Sequence, residues 1–126
     1  MTDRLPTDFR SRSIGEYVKA LSSADPTPGG GSAAGLTGAL GCSLGEMVCN
    51  LTLTKVNDDN LASFAGIFAS MANDLISLAR RDELAFGAYR AAIALPRLTD
   101  DEKLVRRAAI EQSLITAAEV PLEMVD

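Results

Sequence analysis

The residues of this 126-residue chain with the types and spacing to do chemistry concentrate between Asp25 and Lys55, DPTPGGGSAAGLTGALGCSLGEMVCNLTLTK. A stiff approach through Pro26-Thr27-Pro28 leads into Gly29, Gly30 and Gly31, and then into Ser32. Glycine lets backbone N–H groups come close to a ligand, and a helix start offers unpaired donors with partial positive charge. This is the grammar of an anion cradle. A tight turn with a helix cap would also use these residues, but a turn alone needs one glycine rather than three. The Gly-Lys-Ser/Thr ending of a Walker loop is absent. Further along, Asn50 places an amide inside an apolar run, and a buried amide without a partner costs about 1–3 kcal/mol. Lys55 could neutralise a ligand carboxylate or simply supply charge at a helix C-terminus. Glu46, one turn before Asn50, reads as half of an interhelical ion pair. The chain contains no histidine, so acid–base work falls to carboxylates, lysine, tyrosine or cysteine.

The elements that must hold these groups are helices. Ser13 and Glu16 have capping-box spacing, and Ile14, Tyr17, Val18 and Leu21 share one face, giving a short amphipathic helix over about 13–22. A second helix is predicted from about Ser32 to Lys55, roughly 36 Å long at 1.5 Å per residue. Its glycines at 35, 38, 41 and 45 each cost about 1 kcal/mol relative to alanine, so close approach of another helix or a ligand must offset them. The run is also of membrane-spanning length, but Glu46 and Asn50 interrupt it and basic flanks are missing, which favours a core helix. After the loop at Asn57–Asn60, helical periodicity continues from Leu61 to about Ile93, with a kink expected near Gly87 and an end imposed by Pro96. Thr99 and Glu102 form a second capping box, and Pro121 is expected to break or kink the last helix. The fold class is therefore all-α: an antiparallel bundle of long helices over residues 13–126, preceded by an N-terminal arm at 1–12.

Composition narrows the function. A net charge of −5 argues against a nucleic-acid partner, because phosphate neutralisation needs a basic face. Few aromatics and no tryptophan imply an aliphatic, alanine-rich core. Cys42 and Cys49 lie seven residues apart on one predicted helix, about 10 Å along its axis and too far to bridge. Two unbridged thiols and an N-terminus without an apolar signal core suit a reducing cytoplasm.

PTPGGGS, AAGLTGALG and MVCNLT with Lys55, followed in order by DELAF (Asp82–Phe86), ALPR (Ala94–Arg97), TDDEKLVRRAAI (Thr99–Ile110) and AAEVPL (Ala117–Leu122), resemble the cyclodeaminase/cyclohydrolase family of folate enzymes. The resemblance covers nearly the whole chain from Ile14. It implies hydrolysis of 5,10-methenyltetrahydrofolate to the 10-formyl form, with ring-closing loss of ammonia from a 5-formimino folate as the alternative. Both reactions pass through a tetrahedral carbon between two nitrogens and imply a folate substrate with no metal or further cofactor. The resemblance makes Asp82 the candidate catalytic group, handling a proton or orienting the pterin. Gly29, Gly30, Gly31, Ser32, Asn50 and Lys55 become candidate substrate contacts. A solvated Asp82 paired with Arg80 or Arg81 is the competing reading. Two departures stand beside it: Arg80 where many relatives are acidic, and Glu83 in place of a usual alanine. Relatives also continue past the VPL element with further helices. A shortened bundle would expose an apolar face, so a homo-oligomer is expected. A non-catalytic folate-binding or helical oligomerisation module is the remaining alternative.

Overall fold

Both predicted capping boxes form. In the computed structural model, which describes residues 8–125, the Ser13 and Thr99 side chains accept from the backbone N–H of Glu16 and Glu102, and each glutamate accepts from its cap residue's N–H in return. They start α1 (Ile14–Leu21) and α4 (Asp100–Glu123). Between them run α2 (Gly30–Leu53) and α3 (Asp59–Ile93), the latter capped by Asp58, which accepts from Asn60 and Leu61 N–H. A 3-10 turn over Phe9–Ser11 precedes α1, and no strand occurs among the described residues. Of the arm predicted at 1–12, residues 1–7 lie outside the described residues.

Three boundaries differ from expectation. α2 begins at Gly30 rather than Ser32 and ends at Leu53. α3 runs without interruption through Gly87. Pro121 does not break α4, which continues to Glu123: a φ locked at about −65° is helical, and the one bond it forgoes, to the carbonyl four residues earlier, falls in the last turns of the helix.

The helices pack antiparallel in chain order. Gly35 lies against Leu75 and Ala79, whereas Gly45 lies against the Phe68 ring, so α2 and α3 run in opposite directions. Arg81 pairs with Glu123 while Arg106 donates to the Ile93 carbonyl at 3.1 Å, which fixes the same relation for α3 and α4. A Cβ on Gly35 would stand 2.8 Å from the Leu75 carbonyl oxygen, one on Gly38 3.0 Å from Leu75 Cδ1, and one on Gly45 2.9 Å from Phe68 Cζ. Close helix approach therefore explains these three glycines, but Gly41 meets nothing within 4 Å and has no such explanation.

The core is correspondingly small-residued: Ala39, Ala65, Ala72, Ala79, Ala85 and Ala92 are buried, with Tyr17, Cys49 and Val120. Larger apolar side chains remain outside it. Leu40, Leu44, Val48 and Leu51 of α2 and Phe64, Ile67 and Met71 of α3 are all exposed. By length and composition, α3 rather than α2 is the described helix apolar enough to cross a membrane. It packs against both α2 and α4.

Candidate active site

Ser32 is the centre of the site. Gly29 is the α2 N-cap, in an extended conformation and without a side chain to cap with. The third residue of the helix, Ser32, finds its acceptor fifty residues away: its N–H donates to Asp82 Oδ2 at 3.0 Å. A carboxylate at this position satisfies one of the orphan N–H groups of the first turn and complements the positive end of the helix dipole. Gly31 makes the approach possible, because a Cβ there would fall inside the Asp82 carboxylate. Gly30 has open space around its Cβ position, and one on Gly29 would meet only the Pro26 carbonyl at 3.6 Å. The glycine cradle thus receives a carboxylate of the protein itself, with Gly31 the one glycine of the three that steric contact demands.

The Ser32 side chain does not cap α2. Its hydroxyl is fully buried, lying 2.9 Å from the Tyr17 hydroxyl and donating to Glu83 Oε1 at 3.1 Å. Glu83 is itself buried, 6% exposed, and its other oxygen lies 4.0 Å from the Arg12 guanidinium. Burying a carboxylate is costly without partners, and Ser32 and Arg12 are what offset it here. Glu83, Tyr17 and Arg12 were not predicted as site residues. Their signals were present separately, as a glutamate beside Asp82, a tyrosine on the apolar face of α1 and an arginine ahead of its cap. Only the docking of α1 on α2 and α3 joins them.

Asp82 is half-buried, and its neighbouring arginines are engaged elsewhere. Arg80 pairs with Asp8, and Arg81 donates to Glu123 at 2.7 Å. Asp8 has its carboxyl held down at about 2, chiefly by its hydrogen bonds from Arg10. The competing picture of Asp82 as one half of a surface pair with Arg80 or Arg81 is therefore not the arrangement observed.

Asn50 and Lys55 are not brought to this cluster. Both are exposed, and Asn50 lies eighteen residues beyond Ser32, about 27 Å along α2. Asn50 is exposed and so is not the buried amide expected. Glu46 is half-buried on the same helix. A cleft of about 640 Å³ opens between α1, α2 and α3, walled by Ile14, Tyr17, Val18, Leu36, Leu40 and Ile76. Tyr17 belongs to both places, forming part of the cleft wall and bonding to Ser32. Among the described residues, no three of His, Cys, Asp and Glu converge to hold a metal ion.

Comparison with known proteins gives these residues a setting. The model of the formiminotransferase-cyclodeaminase family matches residues 13–126. The methenyltetrahydrofolate cyclohydrolase of Methylorubrum extorquens is 38% identical over 116 residues, covering 89% of this chain and 56% of that protein. The formimidoyltransferase-cyclodeaminases of Gallus gallus and Rattus norvegicus are each 33% identical, over 88% and 90% of this chain but only 21% and 22% of theirs. The chain thus spans about half the length of the first relative and about a fifth of the other two. With the match running from the α1 cap through α4, the chain belongs to the formiminotransferase-cyclodeaminase family.

Proposed function

We propose that the chain acts in folate one-carbon chemistry, hydrolysing 5,10-methenyltetrahydrofolate to 10-formyltetrahydrofolate. The observation that carries this reading is the seating of Asp82 over Gly31 and on the Ser32 N–H, which unites the two motif segments that a family of folate enzymes would use. Asp82 is the catalytic group, handling a proton or orienting the pterin as the one-carbon bridge becomes tetrahedral. The Ser32 N–H holds it in place, and Gly31 leaves the room for it. Asn50 and Lys55 would contact substrate only across a boundary between copies, since within one chain they stand at the far end of α2.

The exposed apolar stripe of α2 supports assembly as a homo-oligomer. The reading places the protein in the cytoplasm, with no cofactor beyond the folate and no nucleic-acid or membrane partner. Formiminotetrahydrofolate cyclodeamination is the second reading, favoured by the matches to formimidoyltransferase-cyclodeaminases.

The test is the loss of 5,10-methenyltetrahydrofolate absorbance on adding the purified chain, against buffer and against Asp82→Asn. Enzyme-dependent loss that disappears in the variant, with folate affinity retained, supports the proposal. Turnover unchanged by Asp82→Asn removes Asp82 from the mechanism. No turnover, together with ammonia release from the 5-formimino substrate, selects the second reading. Folate binding without either reaction would mark a non-catalytic module.

A further inference from the structure

α1 has little of its own to hold it to the rest of the chain. It is eight residues long, Tyr17 is the one of them that is buried, and Ile14 and Val18 on the same face are 86% and 56% exposed. A helix so short is marginal in water without tertiary contacts. The residues ahead of it supply two. Asp8 pairs with Arg80 of α3, and four residues later the Arg12 guanidinium lies 4.0 Å from Glu83, about one turn further along the same helix. Between them Arg10 donates to Asp8 through Nε at 3.0 Å and Nη2 at 2.6 Å, bracing the 3-10 turn that separates the two pairs. The family match begins at Ser13, so this fastening lies ahead of the shared sequence.

The second pair reaches the candidate site. Glu83 accepts from the Ser32 hydroxyl at 3.1 Å through Oε1 while its Oε2 faces Arg12. The same hydroxyl lies 2.9 Å from that of Tyr17, and the Ser32 N–H is the donor on which Asp82 sits. Ser32 is thus held through its side chain by α1 and α3, and carries Asp82 on its backbone. An ion pair in water contributes little, but Glu83 is buried, and a buried carboxylate that loses a partner is strongly unfavourable. Lifting the segment away from α3 would draw Arg12 off Glu83 and loosen Ser32.

We propose that the segment Asp8–Arg12 is a positioning clamp for Asp82: fastened to α3 by Arg80 and Glu83, it fixes Ser32, and Ser32 fixes the carboxylate. Arg12, Arg80 and Glu83 are positioning residues, acting through Ser32. The inference rests on the catalytic role proposed for Asp82.

Three variants test it. Arg80→Glu sets a carboxylate against Asp8 at a partly exposed position, Arg80→Lys keeps the charge, and Glu83→Ala cuts the bond to Ser32 while leaving the Asp8 pair intact. Arg80→Glu and Glu83→Ala are expected to keep their helical circular dichroism and KM while kcat falls roughly 10- to 100-fold, as for a displaced catalytic group. Arg80→Lys should restore kcat. The second readout needs no turnover: hydrogen exchange at the Ser32 amide should quicken in Arg80→Glu and Glu83→Ala, with the amides of α4 unchanged. Wild-type kcat or wild-type Ser32 exchange in both of these variants overturns the clamp. So does a rise in KM with kcat unchanged, which would make the segment a substrate contact, or a loss in Arg80→Lys equal to that in Arg80→Glu. If the wild type turns over neither folate, the folate reading fails by itself, and Ser32 exchange decides the clamp: quickened by Arg80→Glu it stands, unchanged it falls.

Discussion

The Asp82 carboxylate caps α2 from another helix: its Oδ2 accepts the Ser32 N–H at 3.0 Å across fifty residues of sequence. A local N-cap side chain would have served α2 equally well, but the cap position is Gly29, which has none. The first turn is thereby made to depend on tertiary structure. The docking of α3 and the placement of a candidate catalytic group become one event.

Replacing Gly31 with alanine puts a Cβ where the Asp82 carboxylate lies. Gly31→Ala should cost about 1–3 kcal/mol, as overpacking of a close contact does, and should abolish any Asp82-dependent rate. Gly30→Ala, with open space around the new methyl, should leave melting temperature and rate close to wild type. Thermal unfolding of the pair checks this directly. Equal effects at 30 and 31 would show that the turn's flexibility matters rather than the seat for Asp82.

The same reasoning separates Gly35 from Gly41. Gly35→Ala would push against the Leu75 carbonyl and Ala79, forcing α2 and α3 apart at a cost of about 1–3 kcal/mol. Gly41→Ala meets nothing and removes a helix-interior glycine, so it should stabilise by about 0.5–1 kcal/mol. Urea midpoints moving in opposite directions for these two variants are the expected result.

Much of the fold was legible because its signals are local. Ser13 with Glu16, and Thr99 with Glu102, announce helix starts over four residues, and the periodicity from Leu61 to Ile93 needs no partner to be seen. Ser32 looks like a cap when its neighbours in space are unknown, yet α2 starts two residues earlier, at Gly30. In the fold its hydroxyl is spent on Tyr17 and Glu83, and the cap comes from Asp82. Asp82 and the glycines could be named from the motif resemblance. Glu83 stands out in the sequence only as a departure from the family's usual alanine, which announces neither its burial nor its bond to Ser32.

Acid should weaken the helix starts. Glu16 is held below the ordinary 4.5 by the Ser13 backbone N–H, and Glu102 by those of Thr99 and Leu98. Glu123 is lowered by its hydrogen bonds from Arg81. A carboxyl lowered by folding contributes stability that is fully present above its unfolded value and is lost as pH falls through the folded one. The melting temperature should therefore be insensitive to these groups between pH 7 and about 5, and should decline below the ordinary carboxyl value. Glu102→Gln keeps an acceptor for the capping box but does not titrate, so the acid decline should be shallower in that variant.

The α2 stripe Leu40, Leu44, Val48 and Leu51 follows four- and three-residue steps along one face, and each member is about 59% exposed. A continuous apolar surface of this kind on a single chain is unfavourable in water. If a second copy covers it, Leu44→Glu places a charge in the interface, where burying it unpaired is costly. Light scattering should then report a shift from oligomer to monomer with no loss of helical signal, because Leu44 makes little contact with the chain's own core. Asn50 is exposed on the same helix. A substrate contact by Asn50 across the boundary would make Leu44→Glu lower turnover together with assembly, whereas a monomeric variant at full rate would confine the chemistry to the Asp82 end of the molecule.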